Sequence, residues 1–197
     1  MIPTKLLDGY KRFISGYFSH NQAALHKLIE GQAPEVAIVA CCDARVDPAF
    51  IFDVSPGDIF VIRNVANLVP PFEAEGHYHG TSAALEFAVT KLLVKHIVIL
   101  AHARCGGIQT LLDKDDNVPS DFLGKWMSIA RKARESVLQH NPTMSGQERA
   151  RACEKAAALH SRGNLMTFPW VAARVKQGTL TLHAWYYDLE NGSLEQL

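Results

Sequence analysis

The stretch VAIVACCDARVDP, Val36–Pro48, joins two kinds of residue that seldom meet. Its first five positions are small or β-branched apolar residues with no polar alternation. That is what a strand covered on both faces requires. Two cysteines, an aspartate and an arginine then fall within positions 41–45. A strand end that only packs has no need of such chemistry, so something is expected to be bound or activated there.

Working outward, the spacing predicts further strands of the same continuous apolar kind at 59–64 (IFVIRN), after the turn SPGD at 55–58, and at 96–101 (HIVILA). Between them lie helical patterns. Leu6, Leu7, Tyr10, Phe13, Ile14, Tyr17 and Phe18 predict an amphipathic helix over 4–19, and Asn21 can cap a second running to Glu30. Thr81 or Ser82 can open AALEFAVTKLLVK, the CGGIQTLL segment turns directly into a helix, and 119–140 is helical. Ser145 with Glu148 forms a capping box, and a short helix runs from Pro169 to Gly178. TLTLHAWYYDL and SLEQL flank ENG as a hairpin. Non-alternating strands separated by helices argue for a parallel α/β sheet covered on both faces. Such sheets bind ligands beyond the carboxyl ends of their strands. The strand at 36–41 ends at Cys41 and that at 96–101 ends just before His102, so neighbouring strands would deliver both to one rim.

The 197 residues, 48% of them hydrophobic, suit one compact domain, with 1–33 as a helical arm and 34–197 as the core. Twenty basic residues balance twenty acidic ones, which argues against nucleic acid and against a membrane surface as partners. Charges interrupt the apolar residues of MIPTKLLDGYKRF, so neither a signal peptide nor a spanning helix fits there, and a cytoplasmic location is expected. In a reducing compartment, clustered cysteines are metal ligands or catalytic groups more often than disulfides. Cys153 lies in a helical pattern and reads as core.

HARCGG places His102 and Cys105 three apart at a strand end that enters a glycine turn. With one cysteine of ACCDAR the set is Cys, His, Cys, which suits Zn²⁺ and leaves a fourth tetrahedral position open, as catalytic zinc requires. A lone His-x-x-Cys is weak support; its joint occurrence with the cysteine-bearing strand end makes metal the stronger reading. Spacing leaves open whether Cys41 or Cys42 is the ligand, although alternation along a strand allows only one to face the metal. Asp43 and Arg45 form an ordinary salt bridge on a bland reading. Beside an open zinc, a carboxylate held by a guanidinium can orient the attacking oxygen.

CCDAR followed by HARCGG resembles the β-class carbonic anhydrases, whose motifs are Cys-x-Asp-x-Arg and His-x-x-Cys-Gly-Gly. The similarity extends through GQAPEVAIVAC, FVIRNVANLVPP, HGTSAALEFAV and NLMTFPWV. It implies Cys41, His102 and Cys105 as zinc ligands, Asp43 and Arg45 as the catalytic dyad, and reversible hydration of CO₂ to bicarbonate. It also implies a narrow substrate pocket at Gln32, Phe60, Val65, Phe87 and Gly106. The implied architecture is a four- to five-stranded, mostly parallel sheet in a homodimer or larger oligomer. The N-terminal arm packs on the neighbour, and 180–189 supplies an antiparallel edge strand. Cys42 and Ala44 stand where serine is common, and Phe87 where tyrosine is. Ile38 replaces a tryptophan of relatives inhibited by bicarbonate, so an intact Asp43–Arg45 pair is expected. His77 and His79 are candidate proton shuttles in a polar loop. Rival readings are hydrolysis of carbon disulfide or carbonyl sulfide on the same scaffold, a non-catalytic zinc-binding module, and a thiol redox protein using Cys41 and Cys42. Adjacent cysteines disfavour the last.

Overall fold

Residues 3–76, 79–113, 122–140 and 143–197 are described by the computed structural model. Strand β1 is Val36–Cys41, buried from Ala37 onward; β2 is Ile59–Asn64 and β3 is His96–His102. Thr181–Tyr187 and Leu194–Gln196 are β4 and β5. They form one sheet in the order β2-β1-β3-β4-β5, parallel except for the last pair. The expected antiparallel edge at 180–189 is therefore corrected: β4 pairs parallel with β3, and β5 is the antiparallel edge. The reason lies in the connection. Two helices carry the chain back across the sheet before β4, whereas β4 and β5 are joined only by a tight turn at 188–193.

Chain order gives the helices α1 (Thr4–Phe13), α2 (Gln22–Ile29), α3 (Pro48–Ile51), α4 (Gly80–Glu86), α5 (Gly106–Asp113), α6 (Leu123–Met127), α7 (Arg131–His140), α8 (Gly146–Leu165) and α9 (Pro169–Lys176). The Ser145–Glu148 capping box opens α8, and Gly178 follows α9 with a left-handed φ of 70°. Helix α4 starts one residue before Thr81, because Asn64 Nδ2 donates to the Thr81 hydroxyl and occupies it within the fold. The helix expected over 119–140 begins at Leu123 and is interrupted by a 3₁₀ turn at Ser128–Ala130; 119–121 lie outside the described residues. The core centres on Ile97, Ile99, Leu85, Leu165 and Phe168.

Two compact units are distinct, Met1–Ala33 and Pro34–Leu197. In the first, α1 passes into a wider π turn at Ile14–Phe18, where Ser15 and Ser19 hydroxyls donate to carbonyls one turn back and compete with the regular ladder. Neither helix of this unit has a buried residue, and Leu6, Tyr10, Phe13 and Tyr17 are exposed.

The two glycines of HARCGG have different reasons. A Cβ on Gly106 meets nothing within 4 Å, whereas one on Gly107 would lie 2.9 Å from Val65 Cγ1 and 3.0 Å from Ala66 Cβ. Ala66 is itself left-handed, at φ 62°, and cannot easily retreat. Gly107→Ala is expected to destabilise by about 1–3 kcal/mol through overpacking, while Gly106→Ala does not destabilise comparably. Thermal melts of the two variants check this.

Candidate metal centre

Adjacent strands β1 and β3 end at the same level, since Ala40 is in register with Leu100. Cys41 is the last residue of β1 and His102 the last of β3. Ala103 and Arg104 then turn the chain, with Arg104 left-handed at φ 57°, and bring Cys105 to the amino end of α5. The result is a buried cluster in which one ligand atom each from Cys41, His102 and Cys105 lies within 4.8 Å of the others. Cys42 is exposed and faces away, as strand alternation demands.

The cluster is prepared for a cation. His102 Nδ1 donates to the Ala103 carbonyl at 2.8 Å; a carbonyl can only accept, so the ring proton sits on Nδ1 and Nε2 keeps its lone pair. That Nε2 is fully buried and has no hydrogen-bond partner. Such an orphan costs about 1–3 kcal/mol unless a ligand takes it up. The hydrogen bond from Cys105, against the opposing effect of burial, draws the Cys41 thiol down to about 4; His102 and the backbone amides of Asp43 and Ala66 help. The same shared proton and burial push Cys105 up. Burial alone would lower His102, but the neighbouring Cys41 sulfur and the Ala103 carbonyl outweigh it and raise it. Two sulfurs and an imidazole around tetrahedral zinc stand about 3.3–3.8 Å apart. Three buried donors within 4.8 Å, one of them orphaned, fit Zn²⁺.

Asp43 and Arg45 lie immediately beyond β1 and form a fork. Arg45 Nε donates to Asp43 Oδ1 at 2.9 Å and Nη2 donates to Oδ2 at 2.6 Å, while the Arg45 amide also donates to Oδ1. These bonds, the side-chain ones first, hold the carboxyl well below its usual range. Arg45 Nη2 also donates to the Arg104 carbonyl at 3.1 Å, which ties the two motifs together.

The pocket candidates fall in different places. Gln32 belongs to the N-terminal unit and is exposed there. Val65 packs over Gly107, and its carbonyl accepts the Trp126 indole N–H at 2.7 Å. Phe60 and Phe87 pair with ring centroids 6.0 Å apart. Gly106 opens α5. His79 lies 3.6 Å from the Glu73 carboxylate; His77 lies outside the described residues.

Two residues of this neighbourhood are absent from the expectations. Arg63, opposite Ala40 in β2, donates to the carbonyls of Cys41 (2.9 Å) and Asp43 (2.7 Å) and to the Asp47 carboxylate. Glu154, buried on α8, accepts the Cys105 amide at 3.0 Å and the Tyr186 hydroxyl at 2.8 Å. Only the helical spacing of Cys153, Ala157 and Ala158 hints that this face of α8 is buried, and Glu154 itself reads as half of an exposed EK pair.

Comparison with known proteins bears on the whole chain. Residues 36–194 match the family model described as carbonic anhydrase. The chain is 39% identical over 170 residues to Beta carbonic anhydrase 5, chloroplastic, of Arabidopsis thaliana, covering 86% of this chain and 56% of that relative. It thus spans little more than half that relative's length. Among solved structures, the β-carbonic anhydrase CcaA superposes with a TM-score of 0.93 at 31% identity, covering 98% of this chain and 86% of its own. A tetrameric β-carbonic anhydrase of the filamentous ascomycete Sordaria macrospora superposes with a TM-score of 0.88 at 28% identity, covering 98% and 95%. Matched in family model, in sequence and in fold, the chain belongs to the carbonic anhydrases, in their β class.

Proposed function

We propose that the chain catalyses the reversible hydration of CO₂ to bicarbonate and a proton, with Zn²⁺ held by Cys41 and Cys105 Sγ and His102 Nε2. One observation carries the reading: two buried thiols and an orphaned imidazole nitrogen converge beside a forked carboxylate. Zinc held by that set would supply a Lewis acid able to acidify a bound water. The Asp43 carboxylate, locked by Arg45, accepts a hydrogen bond from the attacking oxygen and turns a lone pair toward CO₂. Arg63 keeps the Cys41 and Asp43 carbonyls in place beneath it. Val65 supplies an apolar wall for a small uncharged substrate and open space at Gly106 leaves room for it; Phe60 and Phe87 are proposed as further apolar walls where a second subunit completes the pocket.

We also read the chain as a single domain that works as a homo-oligomer, a dimer or larger. The exposed apolar residues of α1 support this, as does the tetrameric Sordaria relative. Sedimentation at micromolar concentration is expected to give at least twice the monomer mass of 21.8 kDa. Among the described residues no helix is long and apolar enough to cross a membrane. The cytoplasm is our proposed compartment, with cell fractionation as the check against the organelle named for the Arabidopsis relative. Stopped-flow CO₂ hydration together with metal analysis of the purified protein tests the function. Sulfide release from carbon disulfide or carbonyl sulfide without CO₂ hydration would favour the analogue hydrolase instead.

A further inference from the structure

One buried carboxylate has no part in the chemistry above. Glu154 is 2% exposed, in the middle of α8. Removing a carboxylate from water costs several kcal/mol unless its lone pairs are satisfied, so its partners matter. Oε1 accepts the Cys105 amide N–H at 3.0 Å, Oε2 accepts the Tyr186 hydroxyl at 2.8 Å, and the Arg104 amide faces the same carboxyl. Arg104 is left-handed. A left-handed residue turns successive amides to one side and makes a concavity that binds an anion. Here the concavity faces an internal carboxyl group. The turn that begins at His102 and ends at Cys105 closes around a side chain of a helix about fifty residues away. Tyr186 is 3% exposed, and its neighbour Tyr187 accepts the Ala103 amide at 2.9 Å, so β4 supports the same turn twice.

We infer that Glu154, braced by Tyr186, is a positioning residue that holds the Arg104–Cys105 turn so that Cys105 Sγ stays in reach of His102 and Cys41. The inference rests on reading those three residues as a zinc site. It assigns Glu154 no contact with substrate and no proton to move. A glutamine there fills the same volume and keeps one acceptor for the Cys105 amide, but it puts an NH₂ where Oε2 now accepts the Tyr186 hydroxyl.

Four full-length proteins test this: wild type, Glu154→Gln, Tyr186→Phe and Ser161→Ala. Ser161 is a buried residue two turns further along α8 whose hydroxyl accepts the Val69 amide. Its loss loosens the same helix without touching the turn. The readouts are zinc affinity by chelator competition and the electronic spectrum of the Co²⁺-loaded protein. Glu154→Gln is expected to weaken zinc about 10- to 100-fold and to change the thiolate charge-transfer and ligand-field bands. Tyr186→Phe should shift both in the same direction by less, and Ser161→Ala should lower the melting temperature with affinity and spectrum unmoved. The inference is overturned if Glu154→Gln stays within about twofold of wild type with an unchanged spectrum, or if Ser161→Ala weakens zinc as much. Should Glu154→Gln not fold, Tyr186→Phe decides by the same criteria. Failure of the wild type to bind zinc would instead remove the zinc reading itself.

Discussion

Cys41→Ser is expected to purify without zinc and to lose at least about three orders of magnitude in CO₂ hydration, while Cys42→Ser keeps both metal and rate. Cys41 lies in the buried cluster with His102 and Cys105, where its neighbours draw the thiol below its ordinary range, whereas Cys42 is exposed and outside the cluster. A serine hydroxyl in place of Cys41 does not ionise at neutral pH and is a hard donor where the site offers soft ones. Two donors, Cys105 and His102, then remain, and they cannot close a tetrahedral site. The fold should survive, because the serine oxygen can accept the Asp43 amide that now donates to Cys41 Sγ at 3.4 Å. The change in stability of the metal-free protein should therefore stay below about 2 kcal/mol. Metal content, stopped-flow rate and metal-free melting temperature check the three parts separately. Zinc retained by Cys41→Ser and lost by Cys42→Ser would reverse the assignment of the ligand.

This pair of variants also marks where the sequence is legible. β1 and β3 are readable because a strand buried on both faces must be apolar throughout, and Ala37–Ala40 and Ile97–Ala101 satisfy that without help from context; β2 has the same apolar run at Ile59–Ile62 yet is the edge strand, with only Ile62 buried. The junction of Cys41 with His102 follows from two strand ends in register. What was not readable depends on partners distant in sequence. Cys41 and Cys42 differ only in the face they present. Glu154 sits in a run, EK, that looks like an exposed charge pair, until the helix is placed against β3 and β4 and buries it. Arg63 looks like an interruption in an apolar strand, yet its guanidinium spans three partners at the end of β1 and in the loop after it. The direction of β4 hinges on where α8 and α9 return the chain, which no local pattern near 181–187 records.

Asp43→Asn should leave zinc content unchanged and lower kcat/KM about 100- to 1000-fold, the usual loss when one preorganised hydrogen-bonding group is removed from the attacking or developing oxygen. Asparagine has nearly the same shape, so the effect is one of donors and acceptors. The carboxylate accepts Arg45 Nε, Nη2 and amide together. An amide offers one oxygen to this array and points an NH₂ at the guanidinium, so the fork opens on one side. The remaining group can no longer both hold Arg45 and accept from the attacking oxygen. Arg45→Lys attacks the same unit from the other end: a lysine reaches the carboxylate as a point charge, cannot fork, and gives up the bond to the Arg104 carbonyl. If the two residues act as one device, the double variant is scarcely worse than Asp43→Asn alone, because the second change removes a partner whose purpose has already gone. If instead they form an incidental salt bridge, neither single change moves kcat/KM by more than a few-fold. A loss of zinc in step with rate in Asp43→Asn would show that the carboxylate supports the metal ligands rather than the reacting oxygen. Measuring metal content beside kcat/KM in all three variants separates these outcomes.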